Sequence, residues 1–233
     1  MFPIKRLYDL QETDLAIDAG EKALADVRSR LADDSAVTAA RDRVAELDLK
    51  LQAPSIQRRD LELAVQQLTD KLSSAEDRLY SGTITNPREL TAYEADRKNL
   101  HTRRGAEEDR LLEIMVEVDE VQSSRDRAVQ SLERIEAERQ ADVGQLEKDE
   151  QELLAKLKAL RQSRDGITPE IPPSAMSVYE RLRETRGGVA VARVVRSMCE
   201  GCRLTLPTME QQRAKAYQSI VQCSSCQRIL YPV

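Results

Sequence analysis

The sequence predicts a mainly α-helical protein, in which a long antiparallel coiled-coil hairpin with a kinked first arm precedes a small C-terminal β domain. Three observations predict this fold. Apolar residues recur at spacings of three and four through most of the first 165 residues. One turn divides that region into two arms, and all four cysteines follow it as two Cys-x-x-Cys pairs. The composition agrees, because 33% of the 233 residues are charged and only 3% are aromatic, as in long helices.

The first arm carries the periodicity of a coiled coil. A single frame of thirteen positions extends from Val37 to Leu79, and only Pro54 and Arg58 interrupt it. Its other members are Ala40, Val44, Leu47, Leu51, Leu61, Val65, Leu68, Leu72 and Ala75. Sustained spacing of this kind, with charged flanks, predicts a helix packed against a partner. The alternative is a solitary solvated helix, which would leave the apolar stripe in water.

The second arm carries a similar frame, with more polar interruptions. Its apolar members are Leu111, Ile114, Val118, Val121, Ala128, Leu132, Ile135, Leu146, Leu153 and Leu160. Polar residues such as Arg125 and Arg139 occupy some intervening core positions. The frame therefore predicts a second helical arm that packs on the first arm.

A turn is predicted at residues 82–87, within the stretch "LYSGTITNPREL". Gly82 can adopt the left-handed backbone that ends a helix. Asn86 is a favourable N-cap, and Pro87 suits the first helical position. Because the arms on either side are of similar length, the turn predicts an antiparallel hairpin.

Two sites predict irregularity in the first arm. Pro54 lacks a backbone N–H and clashes with the preceding turn, so the helix is expected to kink or break there. At Ala32–Ser35 the apolar frame shifts by one residue, which locally changes a supercoil. The first arm is therefore expected to consist of two or three helical pieces.

Three prolines and a glycine in "DGITPEIPPS" predict the end of the helical region. We accordingly assign residues 1–166 to the hairpin, 167–173 to a linker, and 174–233 to the C-terminal domain. A short helix is expected from Ser174 to about Arg186, ended by Gly187 and Gly188. The β-branched run Val189–Val195 then predicts a strand.

The four cysteines predict a structural zinc site. Cys199, Cys202, Cys223 and Cys226 follow the spacing C-x2-C-x20-C-x2-C. Two such pairs present four thiolates to one tetrahedral Zn²⁺, and strand-like runs ("RLTL", "RILY") follow each pair, which is the pattern of a zinc ribbon. A domain of this size needs the metal to fold.

Other uses of the cysteines remain open at this point. An iron site of the rubredoxin kind uses the same ligands, and catalytic thiols or disulfides are further alternatives. A zinc hook is excluded by position, because it would require a Cys-x-x-Cys at the hairpin turn, where the sequence reads "GTITNP".

The chain resembles a family of bacterial coiled-coil proteins with a C-terminal C4-type zinc ribbon. The resemblance is carried by "IPPSAMSVYERLRETRGGVAVARV", "CEGCRLTLP" and "VQCSSCQRILY", and it extends to the turn "LYSGTITNPRELTAYEADRKNL". It implies a non-enzymatic protein whose four matching cysteines bind zinc. It also implies a protein partner for the coiled coil. In some members that partner is the alternative sigma factor sigma-54, and the ribbon end binds RNA.

Charge is divided unevenly along the chain. Residues 180–233 contain nine Lys or Arg and four Asp or Glu, a balance of +5, whereas the whole chain carries −5. This basic tail favours an anionic partner such as RNA or DNA; the alternative is an ordinary solvated surface. The candidate contacts are Arg193, Arg196, Arg203, Arg213, Lys215 and Arg228.

No catalytic pattern is visible in the sequence. His101 is the only histidine and lies in a polar stretch, and the chain has no Gly-rich phosphate loop. The N-terminus lacks the apolar run of a signal peptide, and no segment suits a membrane span. We therefore expect a cytoplasmic, non-enzymatic protein without a small-molecule substrate.

Two functions fit these expectations. The first is an adaptor or regulator whose coiled coil binds a protein and whose ribbon contacts nucleic acid or protein. The second is a purely structural or chaperone-like interaction module that binds no nucleic acid.

Overall fold

Long helices forming a hairpin make up most of the molecule, as predicted. The structure, a computed structural model, describes residues 3–82 and 84–233. The first arm consists of α1 (Ile4–Ala32) and α2 (Ser35–Tyr80), and the second arm is α3 (Pro87–Ile167). A one-turn 3₁₀ helix, Thr168–Glu170, leads to α4 (Pro173–Thr185). Then follow β1 (Val191–Val195), β2 (Met198–Cys199), α5 (Thr208–Lys215) and β3 (Ile229–Pro232).

The turn between the arms has the predicted chemistry. α2 ends at Tyr80, and Gly82 adopts a φ of 73°, in the left-handed region that favours glycine. Asn86 caps α3, because its side-chain Oδ1 accepts a hydrogen bond of 3.0 Å from the backbone N–H of Arg88. Thr83, within the predicted 82–87 turn, lies outside the described residues.

The first arm is interrupted once within the described residues. α1 ends at Ala32 and α2 begins at Ser35, where the apolar frame changes register. Pro54 does not break α2, which continues through it to Tyr80. Proline has a helical φ and removes one hydrogen bond from a helix of 46 residues. The first arm therefore has two helical pieces rather than three.

Packing divides the chain into two compact units. One comprises the chain up to Asp33 together with Asp142–Val233, and the other comprises Asp34–Ala141. The domain boundaries at residues 166 and 174 remain predictions.

In the unit Asp34–Ala141, ion pairs join the arms at polar positions. Arg125, which interrupts the apolar frame, donates through Nε to Asp48 at 2.9 Å. Arg139 Nε likewise lies 2.8 Å from Asp34 Oδ1. The cations that break the frame are thus paired across the hairpin.

In the other unit, α1 packs on the end of α3. Ile17, Leu24 and Leu157 form a buried cluster. A Cβ added to Gly20 would lie 2.8 Å from Leu157 Cδ2, so the glycine permits this close approach. No helix among the described residues is long and apolar enough to cross a membrane.

The C-terminal sheet has the strand order β2-β1-β3. β1 pairs with β2 antiparallel and with β3 parallel, with Val191 opposite Ile229. The run "RLTL" was expected to form a strand, but it contributes only an isolated bridge between Thr205 and Met198. The first cysteine lies in β2 itself, so the hairpin β1–β2 carries the first Cys-x-x-Cys turn.

Candidate metal centre and ribbon surface

The four cysteine sulfurs converge at one point. All four Sγ atoms lie within 4.8 Å of one another. Cys199 Sγ is 3.7 Å from Cys226 Sγ, and Cys202 Sγ is 3.8 Å from Cys223 Sγ. A tetrahedron with Zn–S bonds of about 2.3 Å has S–S edges of about 3.8 Å. The arrangement therefore fits one structural Zn²⁺ with four thiolate ligands.

The two Cys-x-x-Cys turns are built in the same way. Cys199 N donates to Leu204 O, and Cys223 N donates to Arg228 O, each five residues ahead. The residue after each pair, Arg203 or Gln227, has a left-handed backbone with φ of 61° or 64°. Each turn points backbone N–H groups at the cysteine sulfurs, and hydrogen bonds of this kind stabilise thiolates.

Burial affects the cysteines unequally. It raises the pKa of the Cys199 thiol to about 12. At Cys226 burial acts in the same direction, but hydrogen bonds from the Arg228 backbone N–H and the neighbouring thiols outweigh it and lower the pKa to about 7. Because zinc binds thiolates, binding releases protons from this cluster.

Arg228 holds the metal centre to its surroundings. Its guanidinium donates to the carbonyl oxygens of Val189 at 2.9 Å, Gly201 at 3.1 Å and Arg186 at 3.4 Å. These three carbonyls belong to the entry to β1, the first cysteine turn and the end of α4. The donors of Arg228 are thus engaged within the protein, which distinguishes it from the other candidate nucleic-acid contacts.

The ribbon is anchored to the base of the hairpin through two faces of its sheet. Val191 and Ile229 join Leu7 of α1 and Tyr179 of α4 in one buried cluster. On the other face, Ala192, Val194 and Leu230 form a second cluster that includes Cys199 and Cys223. The sheet therefore connects the metal centre to the hairpin base.

A buried polar network strengthens this connection. Asp14, with 1% of its surface exposed, accepts hydrogen bonds from Tyr179 Oη at 2.8 Å and Arg164 Nε at 2.7 Å. Arg183 approaches the same carboxylate at 3.7 Å. The network links α1, α3 and α4, and the hydrogen-bonded carboxylate offsets the cost of burying a charge.

The other candidate contacts differ in their environment. Arg193 is half-exposed, and its Nε lies 3.8 Å from Glu200 Oε2. Arg196, Arg203, Arg213 and Lys215 are exposed, and their side chains form no ion pair or hydrogen bond with the described part of the chain. Arg196 and Arg203 line one cavity of about 530 Å³ beside β2. Arg213 and Lys215 lie on α5 and do not line that cavity.

Three important side chains were missed by sequence reasoning. Gln11 and Asp14 are buried polar residues of α1. Glu200 lies between the two cysteines of the first pair in sequence and lines the cavity beside β2. Asp14 lies between Leu10 and Ile17 at core spacing, so a polar residue in the apolar frame was a usable signal. Neither Gln11 nor Glu200 had such a signal.

Comparison with known proteins identifies both parts of the chain. Residues 10–187 match the family of the CT398-like coiled coil hairpin domain. Residues 198–230 match the C4-type zinc ribbon domain. Neither is a known enzyme family, which agrees with a non-catalytic interaction module. Among curated proteins, none matches this chain.

Three solved structures share the fold along nearly the whole chain. CT398 from Chlamydia trachomatis is 19% identical, with a TM-score of 0.73, and the match covers 99% of this chain and 97% of that one. A Mycobacterium smegmatis protein is 21% identical, with a TM-score of 0.57 and coverage of 97% and 98%. The HP0958 protein from Helicobacter pylori CCUG 17874 is 18% identical, with a TM-score of 0.53 and coverage of 98% and 96%.

At these identities the structural likeness shows the fold alone. The family match is broader evidence, because it covers more than half of the sequence and coincides with the hairpin helices and with the converging cysteines. The chain therefore belongs to the family of proteins with a CT398-like coiled-coil hairpin domain, here joined to a C4-type zinc ribbon.

Proposed function

We propose that this protein is a non-enzymatic adaptor whose zinc ribbon contacts single-stranded nucleic acid and whose coiled coil holds a protein partner. The observation that carries the nucleic-acid half is the pair of exposed guanidinium groups, Arg196 and Arg203, on one cavity of the ribbon. Phosphate contacts are made by such cations. The basic balance of residues 180–233 supports the same conclusion.

The backbone at Arg196 adds support. Arg196 and Ser197 form the two-residue loop between β1 and β2, and their φ values are 49° and 65°. Two positive φ values in a hairpin loop favour Asn-Gly. A cationic side chain therefore occupies a loop position where glycine would be less strained. A role for this arginine in binding would account for its presence there.

An exposed apolar stripe supports the protein-binding half. Leu49, Ile56 and Leu63 recur every seven residues on α2, and their exposed fractions are 67%, 63% and 59%. Residues at this spacing share one face of a helix. We propose that this face holds an amphipathic segment of the partner, for which the family resemblance offers a sigma-54-type factor.

Nucleic-acid contact is tested with the zinc-loaded full chain and labelled RNA, single-stranded DNA and duplex DNA. We expect single strands to bind, and affinity to fall steeply with added salt. The double variant Arg196→Gly/Arg203→Gly removes two cations while suiting the left-handed backbone, so it should fold and bind weakly. No binding by the unmodified protein even at low salt would reject this half of the proposal.

A matched control separates local contact from net charge. Arg59 and Arg103 are exposed residues of α2 and α3 whose side chains have no partner in the described part of the chain. The variant Arg59→Ala/Arg103→Ala removes the same charge far along the sequence from the ribbon. It should bind nucleic acid as the unmodified protein does.

The protein-binding half is tested by affinity purification from the native organism, with and without RNase. A partner that survives RNase and is lost with Ile56→Lys supports the α2 face, and Gln57→Lys, at an exposed neutral position, adds the same single positive charge to the same helix as a control. If every partner resists RNase and no nucleic acid binds, the purely structural or chaperone-like function is correct instead.

A further inference from the structure

We propose that the cavity beside β2 is a single-nucleotide site that selects guanine in a single strand. This inference rests on the proposed contact between the ribbon and nucleic acid. The cavity has a volume of about 530 Å³ and is lined by Val195, Arg196, Met198, Cys199, Glu200 and Arg203. That volume lies within the range of small-ligand sites. The cavity combines apolar side chains for a base, cationic side chains for phosphates and a carboxylate for the N–H groups of the base.

The apolar part of the cavity suits an unstacked base. Met198 is 42% exposed, so its side chain is available to a ligand in the cavity. Val195 lies directly across the β1–β2 hairpin from it. A base removed from its stack gains contact with apolar and polarisable side chains of this kind. Because a concave site admits an unpaired base, a single strand suits it better than a duplex.

The cationic part suits the flanking phosphates. Arg196 is at the tip of the β1–β2 loop, and Arg203 follows the first cysteine pair. The left-handed backbone of Arg203 is repeated at Gln227, so it belongs to the cysteine turn and is not specific to the cavity. That of Arg196 has no such counterpart. The two guanidinium groups offer planar donors to phosphate oxygens on the rim of one cavity.

Glu200 supplies the base preference. Its backbone N–H donates to Arg193 O at 2.9 Å, which holds the residue against β1. Its carboxylate lies 3.8 Å from Arg193 Nε and accepts no hydrogen bond from the described part of the chain. A carboxylate accepts but cannot donate. Guanine is the nucleobase with two adjacent N–H donors, N1–H and the N2 amino group, on its pairing edge, so it matches both oxygens.

Matched RNA and DNA strands test whether the site prefers guanine and whether the sugar contributes. Labelled oligouridylate strands with one central G, A or C, and the corresponding oligothymidylate DNA strands, are titrated with the zinc-loaded full chain. We expect the G-containing strands to bind on the order of tenfold more tightly than the others, the gain of one bidentate base contact. An equal preference in RNA and DNA means that the base alone is selected, and a larger one in RNA means that the ribose contributes.

Glu200→Gln tests the assignment directly. The variant should lose the preference for G while binding the G-free strands at least as tightly, since an anionic group is removed. Glu184→Gln, an exposed glutamate of α4, makes the same change in charge and should keep the preference. Zinc content and circular dichroism confirm folding, and Glu200→Asp, which retains a carboxylate, should keep part of the preference.

The outcomes separate this inference from the proposed function. Salt-dependent binding with no preference for G, or a preference that persists in Glu200→Gln, would overturn the guanine site while leaving nucleic-acid contact intact. No binding of any strand would overturn both. Loss of affinity for all strands alike in Arg196→Gly, with the G preference retained, is expected of a phosphate contact.

Discussion

The side-chain amide of Gln11 pairs with the backbone of Val191 as a neighbouring strand would. Val191 N–H donates to Gln11 Oε1 at 2.6 Å, and Gln11 Nε2 donates to Val191 O at 3.0 Å. Gln11 lies on α1 and is 3% exposed, while Val191 begins β1. A residue near the start of the hairpin therefore completes the hydrogen bonding of the first strand of the ribbon.

Replacing this amide should loosen the ribbon from the hairpin base. Gln11→Leu keeps the size of the side chain but leaves a buried N–H and a buried C=O without partners. We expect a loss of about 1–3 kcal/mol in the free energy of unfolding. The measurement is unfolding by denaturant, with zinc release as the signal that reports unfolding of the ribbon. Gln67→Leu, at an exposed position of α2, should change the midpoint little, and an equal effect of both variants would contradict the assigned role.

The carboxylate of Asp14 should matter more than that of Asp18, one turn later in α1. Asp14→Asn leaves the Arg164 guanidinium facing a neutral group in a largely buried site. Because Arg164 keeps 29% exposure, we expect a cost of about 2 kcal/mol, below the range for fully buried pairs. Asp18 is half-exposed and pairs with Arg183, so Asp18→Asn should cost well under 1 kcal/mol. Thermal and denaturant unfolding of both variants provide the comparison.

The phenol of Tyr179 predicts a loss of stability at alkaline pH. Burial, followed by the hydrogen bond to Asp14, raises the pKa of Tyr179 above its usual value of 10.0. A group whose pKa is higher in the folded state contributes stability that is full below the unfolded pKa and is lost as pH rises toward the folded one. The free energy of unfolding should therefore decline from about pH 10 upward.

This decline should be smaller in Tyr179→Phe, which removes the titrating group. The relevant quantity is the slope of the unfolding free energy against pH, because the variant also loses one hydrogen bond. Tyr80→Phe is a suitable control, since Tyr80 is 73% exposed and should leave the slope unchanged. Identical slopes in all three proteins would show that Tyr179 does not titrate abnormally.

Removing one cysteine should unfold the ribbon and leave the hairpin helices. Cys223→Ser deprives the tetrahedral site of one thiolate, and structural zinc contributes on the order of 10 kcal/mol to the folding of small zinc domains. We expect elemental analysis to find one zinc per unmodified chain and substantially less in the variant, with helical circular dichroism largely retained. Ser225→Ala alters an exposed residue of the same turn and should retain the metal.

Arg228→Lys should weaken zinc retention without reducing charge. A lysine cannot reach the three carbonyl oxygens that the guanidinium joins. We expect faster zinc transfer to a chelator, with affinity for single strands preserved once the metal is saturating. Arg203→Lys is the matched change beside the other cysteine pair and should leave zinc transfer unchanged. If Arg228→Lys instead lowers nucleic-acid affinity at full zinc occupancy, Arg228 is a contact residue after all.

Features that depend on neighbours along the chain could be predicted from the sequence. The heptad frames, the capped turn before Pro87 and the spacing of the two cysteine pairs each follow from local rules, and the hairpin and the convergence of the four sulfurs confirm them. Pro54 shows where a local rule was too strict, because α2 continues through it. The strand expected in "RLTL" was wrong, since of this run only Thr205 pairs, in a single bridge with Met198.

The way the ribbon is held, and the difference between its engaged and its exposed cations, depend on packing between distant parts of the chain. Gln11 meets Val191 across 180 positions, and Asp14 meets Tyr179 across 165. No periodicity links residues so far apart, because their contact arises from the packing of α1 against the sheet and α4. For the same reason, Arg228 and Arg203 look alike in sequence, but the fold surrounds one guanidinium with carbonyl oxygens and leaves the other on an open cavity.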